Sequence, residues 1–213
     1  MIDINFQEKK LDEMLTNSLS EFGFKRRGLF KYKKKVGECE EKISLAKTKV
    51  RGEERFHIYV IISANYKCIN EVLETITGRK RPGFSTIAFN MDYFVNGDKA
   101  YGFYIDVNTD ITAVAEDVTC KVREYAIPEL AAIDTIDKYY ELLKIKDPRT
   151  IYGSTFRHEW SLLALTILKD KKRVREVFEI YEDKLKRNKS AFEYALVRFE
   201  NNNFEEDTQW EKN

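Results

Sequence analysis

The residues with the clearest chemical potential are seven basic side chains among the eleven residues from 25 to 35, a stretch with no acidic residue. Their alternation with aromatic residues predicts a strand whose outward charges lie about 6.5–7 Å apart, a spacing at which cations can meet phosphates or carboxylates. Three further cations lie in a loop rich in glycine and proline. The candidate binding residues are Lys25, Arg27, Lys31, Lys33, Lys35, Arg79, Lys80 and Arg81.

Two other interpretations of the basic stretch remain open. Lysines commonly protect an edge strand from pairing with other chains. In addition, Glu38, Glu40 and Glu41 follow closely enough to neutralise the stretch across a hairpin. The neighbouring aromatic residues have the opposite parity and are expected in the core, where they cannot stack on bases. The pattern therefore favours edge protection or an acidic protein partner over nucleic acid.

Patterns typical of cofactor, metal or nucleophilic chemistry are incomplete in this sequence. Gly78 to Ser85 has the glycine and serine spacing of a phosphate-binding loop, but Phe84 stands where the lysine is required. His57 and His158 each lack a second ligand at a suitable spacing. No serine or cysteine lies in a nucleophile motif. We therefore predict no catalytic residue, no metal ligand and no cofactor.

One acidic pair keeps a hydrolase open as a second alternative. Asp92 and Asp106 share the polar parity of two alternating runs and would face one another if those runs paired. Two carboxylates held close together raise the pKa of one of them. With 36 acidic residues in the chain, such a pair is easily found by chance, and separate positions on a solvated surface are the preferred interpretation.

Composition limits the class of protein. The net charge is +1 although 34% of residues are charged, so binding to polyanions would have to come from local clustering. Three widely spaced cysteines are expected to be reduced thiols. The N-terminus lacks the pattern of a signal peptide, and no apolar run approaches the about 20 residues of a membrane helix. These features predict a cytoplasmic protein with no membrane association.

The first half of the chain contains alternating runs typical of strands. Phe24 to Lys35 predicts a strand, and Ile43 to Val50 is its antiparallel partner through a turn at Gly37. The run from Phe56 to Ala64 is apolar on both faces, as in a central strand. Two further runs, 87–95 and 101–107, flank Asn96-Gly97-Asp98 and predict a hairpin with high specificity.

Helical spacing dominates elsewhere. Phe6 to Phe22 predicts a first helix stopped by Gly23, and Ile111 to Tyr125 a helix that begins at Thr109 or Asp110 and ends at Pro128. Further helices are predicted over residues 136–143, 156–168, 173–185 and 190–199. The segregation predicts an α+β fold, with an antiparallel sheet of about five strands covered by helices and a helical C-terminal region. The predicted parts are an α+β body (1–147), a helical region (148–204) and a flexible acidic tail (205–213). Trp210 in the tail is predicted to dock on the body or to act as a short recognition element.

The opening of the chain also resembles a known family. A helix followed by Gly23-Phe-Lys-Arg-Arg-Gly28 and an aromatic and basic strand to Lys35 resembles the start of a family of uncharacterised bacterial domain-of-unknown-function proteins. Glu124 to Leu130 is similar to that family's helix-to-proline exit. The resemblance covers about residues 6–143 and implies a fold rather than a reaction. Some relatives resemble immunity proteins, which act by binding.

The sequence thus predicts a non-enzymatic intracellular bacterial protein that binds another protein, which is expected to be acidic. Nucleic-acid binding through the basic residues is the alternative. Oligomeric state and partner identity do not follow from the sequence.

Overall fold

The computed structural model describes residues 3–78, 85–95, 101–145, 147, 158–169, 173, 174, 197 and 201, with the side chains of 158 and 159 left out. Two compact units divide the chain. Unit 1 comprises Met1–Ala64 with Ala88–Thr135, and unit 2 comprises Asn65–Ile87 with Ile136–Asn213. The predicted boundary at residue 147 lies beside residues outside the described part, and the predicted tail from residue 205 lies outside it altogether. Both stay predictions.

The helices and strands follow one another in this order: α1 (Ile4–Ser20), β1 (Lys25–Gly28), β2 (Lys31–Val36), β3 (Cys39–Lys49), β4 (Phe56–Tyr66), α2 (Lys67–Thr77), β5 (Ile87–Asn90), α3 (Asp92–Val95), β6 (Gly102–Ile105), α4 (Ile111–Lys121), a π-helical turn (Val122–Ala126), α5 (Ile127–Ala131), α6 (Ile136–Lys144) and α7 (His158–Lys169).

The sheet confirms the predicted fold class. Its six strands are antiparallel and lie in the order β1-β2-β3-β4-β5, with β6 also paired to β4. Each of the first three connections is a hairpin, so neighbours in sequence are neighbours in the sheet. The predicted turn at Gly37 joins β2 to β3, where Val36 pairs with Cys39. The predicted central strand, β4, has β3 on one side and β5 and β6 on the other.

The core of unit 1 lies between one face of the sheet and α1. Leu11, Leu15 and Leu19 recur at helical spacing and are fully buried. Tyr32 and Ile43 are Cα partners on β2 and β3 and are equally buried. We call this face of the sheet the inner face. The predicted helix stop is also confirmed, because Gly23 (φ 83°) follows the end of α1.

The predicted strand from Phe24 to Lys35 is wrong as a single strand, because the chain turns back at residues 29 and 30. Phe30 adopts φ 56°, a left-handed backbone conformation that residues other than glycine rarely adopt. The buried Asp12 carboxylate stabilises this turn by accepting from Phe30 N (2.7 Å), Tyr32 OH (2.6 Å) and Arg26 Nε (2.6 Å). Burial and this carboxylate raise the pKa of Tyr32. The basic stretch therefore occupies two adjacent strands.

The predicted hairpin about Asn96-Gly97 is also wrong. Gly102 to Ile105 of β6 pair with Tyr59 to Phe56 of β4, and Met91 N–H donates to Val60 O (2.8 Å) just beyond them. The two alternating runs thus follow one another along the same edge of β4 instead of pairing together. Residues 92–95 form the short helix α3 between them, and residues 96–100 lie outside the described part.

The helix predicted to end at Pro128 continues past it. Asp110 is the N-cap, as predicted, and its carboxylate accepts from Thr112 N (3.0 Å) and Ala113 N (3.2 Å). Proline lacks an N–H and its ring crowds the carbonyl four residues earlier. A π-helical turn from Val122 to Ala126 precedes Pro128, and α-helix resumes to Ala131.

Unit 2 contains α2, α6 and α7. Both α2 and α6 pack against α7. The rings of Tyr66 and Tyr139 stack with centroids 5.3 Å apart, and Lys169 pairs with Asp137. The predicted helices 173–185 and 190–199 lie almost wholly outside the described residues, and Trp210 lies entirely outside them. Among the helices that are described, none has the length and apolar run needed to cross a bilayer.

Candidate functional site

Five lysines lie together on the outer face of the sheet, opposite α1. Register places Lys25 of β1 opposite Lys33 of β2, and Lys33 opposite Lys42 of β3. Three cations therefore form one row across three adjacent strands, which are about 4.8 Å apart. Lys31 and Lys35 lie two residues to either side of Lys33 on the same face. We call this set the lysine face: Lys25, Lys31, Lys33, Lys35 and Lys42.

A single carboxylate lies within the row. Glu40 accepts from Lys33 Nζ at 3.1 Å and lies 3.2 Å from Lys42 Nζ. Burial of Glu40 opposes ionisation, but hydrogen bonds from the two lysines exceed it and lower the pKa of Glu40. The suggested neutralisation by acidic residues is therefore real for Lys33, which pairs with Glu40, and for Lys34, which pairs with Glu41 at 3.4 Å. The contacts of Glu40 show in addition that a carboxylate fits between lysines of neighbouring strands.

The remaining predicted cations are exposed. Lys25, Arg27, Lys31 and Lys35 form no ion pair within the described residues. Arg27 lies where the β1–β2 register shifts, at the margin of the lysine face. Directly opposed like charges such as Lys25 and Lys33 destabilise a sheet. The predicted loop cations Arg79, Lys80 and Arg81 lie outside the described residues.

The position of β1 suits the edge-protection interpretation as well. It is the terminal strand of the sheet, only four residues long, and its pairing with β2 is irregular. Short, irregular and charged edges resist pairing with other chains. The geometry of β1 alone therefore does not separate protection from binding.

A second group of aromatic and cationic side chains lies on the same outer face, on and beside strands β4 and β6. Lys47 Nζ lies 5.0 Å from the Phe56 ring, which assigns Phe56 to the inner face and its neighbour His57 to the outer face. The His57 ring lies 4.7 Å from Tyr104, its cross-strand partner, and 6.1 Å from Tyr59. The Arg55 guanidinium lies 4.7 Å from the Tyr104 ring. We call this set the ring stack: Arg55, Tyr104, His57 and Tyr59.

Gly102 permits the ring stack to form. A Cβ at this position would lie 2.6 Å from His57 Nε2 and 2.5 Å from the Ile58 carbonyl oxygen. The imidazole therefore occupies space that any other residue would fill. Tyr104 is 58% exposed, which makes it an accessible aromatic surface on the sheet.

Glu41, on the inner side, interacts electrostatically with Asp134. Burial raises the pKa of Glu41; Lys34, 3.4 Å away, lowers it, and the charge of Asp134 raises it again. The sequence does not single out this pair, because its members lie far apart in the chain. Glu41 is only 3% exposed, so a substrate would have little access to it.

The acidic residues proposed from sequence lie in different settings. Asp92 begins α3, and Asp106 accepts from Asn108 N (2.8 Å) in the turn after β6. The paired strands on which they would have faced one another do not form. The described residues contain no group of three or more metal-ligating side chains, and the side chain of His158 is not among them.

A cleft of about 660 Å³ opens near the start of α1, the β3–β4 turn and the end of β6. Its charges are mixed: Lys47 pairs with Glu8 (2.6 Å), and Arg55 Nη2 donates to Glu53 (3.1 Å). Internal pairing of this kind does not select a ligand of one charge.

No protein-family model matches this chain, and comparisons with curated proteins and with solved structures gave no match. The resemblance seen in the sequence therefore stays a prediction.

The ring stack is absent from the sequence-based prediction, although its signal is present. His57 and Tyr59 fit the second apolar face of a buried strand equally well. Tyr104 is an aromatic residue at the polar parity of its run, between Phe103 and Ile105. Aromatic residues at outward positions of two strands are the pattern that would identify the site.

Proposed function

We propose that this chain is a non-enzymatic binding protein that docks an acidic surface of another protein on the lysine face. The observation that carries the proposal is the row of Lys25, Lys33 and Lys42 on adjacent strands. Glu40 offsets the charges of Lys33 and Lys42, but Lys25 still faces Lys33 on the neighbouring strand, and a carboxylate from a partner would relieve that like-charge contact.

The contact made by Glu40 supports carboxylates as the ligand. One carboxylate already bridges Lys33 and Lys42, while Lys25, Lys31 and Lys35 form no ion pair in the described part of the chain, although Lys35 lies across from Glu40. An acidic partner would repeat the same bridge at the unpaired positions. The resemblance to immunity-type proteins makes a bacterial toxin with an acidic surface the first natural partner to test.

The test compares two triple variants that change net charge equally. Lys25, Lys31 and Lys35 become Glu in the first variant. In the control, three other exposed lysines become Glu: Lys9 and Lys10 of α1, and Lys49, which has the inner-face parity of β3. Fluorescence anisotropy measures binding to labelled poly-glutamate and to oligothymidylate. We expect at least about a tenfold loss of poly-glutamate affinity in the first variant only, and weaker binding of the unmodified chain at about 200 mM than at about 50 mM salt.

The outcomes separate the alternatives. Equal losses in both variants, or no binding of poly-glutamate by the unmodified chain, would refute the proposal. If the unmodified chain binds oligothymidylate more tightly than poly-glutamate, the ligand would be nucleic acid instead. If the lysines only protect the edge, the unmodified chain and the Glu variant should both be monomeric, because glutamates prevent edge pairing as lysines do. The two triple variants should then not differ in their binding of poly-glutamate.

A further inference from the structure

The ring stack is organised before any partner arrives. The guanidinium of Arg55 and the imidazole of His57 each lie 4.7 Å from the Tyr104 ring. Glu53 holds Arg55, and the backbone pairing of β4 with β6 fixes both strands. Side chains fixed in this way lose little conformational entropy on binding, so a contact made here contributes more to affinity.

The composition of the ring stack is that of an interface anchor. Tyrosine and arginine are enriched among the residues that dominate binding energy in protein interfaces. A tyrosine that is 58% exposed leaves part of its ring available to an incoming group. A planar aromatic group would pack against this exposed part of the ring.

Charge near the ring stack favours an aromatic side chain over a nucleobase. Glu53 and Glu54 lie in the β3–β4 turn beside Arg55, and Glu54 is exposed. A nucleic-acid strand carries a phosphate on every unit, so it would meet these carboxylates wherever a base reached Tyr104. A peptide can place a neutral aromatic residue there and its acidic residues elsewhere.

We propose that the ring stack is the second contact point of the docking surface and takes an aromatic side chain of the acidic partner. This inference rests on the proposed function and narrows the partner's chemistry.

The path from Lys33 on β2 to Tyr104 on β6 crosses β3 and β4, which is about 14 Å across the strands. Val50 N–H donates to Arg55 O in the β3–β4 turn. His57, the partner of Tyr104, therefore lies across from Thr48, six residues along β3 from Lys42. This offset adds about 20 Å along the strands and makes the diagonal about 25 Å, which an extended chain covers in about seven residues. The partner segment therefore carries an aromatic residue about seven positions from its acids.

The test uses two labelled peptides. Each has a run of glutamates and a spacer of about six Gly and Ser residues, followed in one by Trp and in the other by Ala. Anisotropy titration of the full chain should show the Trp peptide binding about five- to tenfold more tightly. Tyr104→Ala should bring this ratio close to one, whereas Tyr104→Phe should preserve it because the ring remains.

Controls distinguish the inference from the proposed function. Tyr93→Ala removes another exposed tyrosine and should leave the ratio unchanged. The triple lysine variant should weaken both peptides equally. Equal affinity of the two peptides for the unmodified chain overturns the inference but leaves the proposed function intact; failure of both peptides to bind refutes both. Oligothymidylate binding that falls with Tyr104→Ala would assign the ring stack to nucleobases and overturn the inference.

Discussion

Glu40 and Glu41 are adjacent in β3, yet their carboxyl groups have opposite pKa shifts. Glu40 points to the outer face, where burial alone would raise its pKa but Lys33 and Lys42 outweigh burial and lower it. Glu41 points to the inner face, where burial outweighs Lys34 and raises its pKa, with a further contribution from Asp134. Because side chains of a strand alternate between faces, one step along the chain reverses the electrostatic environment.

Replacing Glu41 with Gln should stabilise the fold, relative to the unmodified chain, more strongly as the pH rises. The folded-state pKa of Glu41 lies above the unfolded value of 4.5, so the native state binds more protons between those two values. Ionisation therefore opposes folding increasingly above pH 4.5, and glutamine carries no such cost. Urea unfolding at about pH 4 and about pH 8 should show the stability of the variant rising relative to the unmodified chain. A difference independent of pH would contradict the assigned environment.

Glu40→Gln is the matched comparison and should behave in the opposite way. The lowered pKa means that Glu40 stabilises the fold above pH 4.5 and loses this contribution as the pH falls through its folded value. The variant should therefore lose stability relative to the unmodified chain as the pH rises.

At the scale of elements, the β1–β2 hairpin explains why the outer face is cationic. A tight turn at Phe30 folds one basic stretch back on itself, which brings Lys25 opposite Lys33. The arrangement raises the density of positive charge on the outer face, but it also adds repulsion between lysines that face each other across the strands. A binding surface accounts for such an arrangement better than stability does.

Lys25→Glu should stabilise the free protein by about 0.2–1 kcal/mol while weakening poly-glutamate binding, because it replaces a like-charge pair by an opposite-charge pair. Lys35→Glu provides the internal control. Lys35 faces Glu40, so the same substitution there creates a like-charge pair and should destabilise the protein by a similar amount. Thermal or urea unfolding measures both. Destabilisation by Lys25→Glu would show that the opposed lysines are not in repulsive contact.

The elements also show what sequence patterns can and cannot predict. Alternation correctly identifies the central strand β4 and the buried face of Tyr32 and Ile43, since side-chain direction depends only on local geometry. It misses the turn that separates β1 from β2 and the short helix α3. Alternation does not specify the partner strand. The runs before and after Asn96-Gly97 therefore suggest a hairpin, although both pair with β4. The turn at Phe30 escapes prediction because a buried carboxylate from α1, and not a glycine, stabilises it.

At the scale of the whole molecule, a net charge of +1 hides a strongly uneven distribution. The lysine face has five cations on three adjacent strands and one bridging carboxylate, while the sequence predicts only a row along one strand. Four of these lysines have the outward position that the sequence predicts, and their role in binding stays a prediction. Their density and their combination with a ring stack require the tertiary structure. Lys42 joins the set only through strand register.

Mapping the contact by NMR would locate the bound ligand on the sheet residue by residue. Amide chemical shifts of the ¹⁵N-labelled chain would be followed during titration with poly-glutamate. We expect saturable changes concentrated at Lys25, at residues 31–35 and at Lys42, and a reduction of these changes as salt increases. Changes confined to other regions such as α1 or α4, or no changes on β1 to β3, would contradict binding on the lysine face.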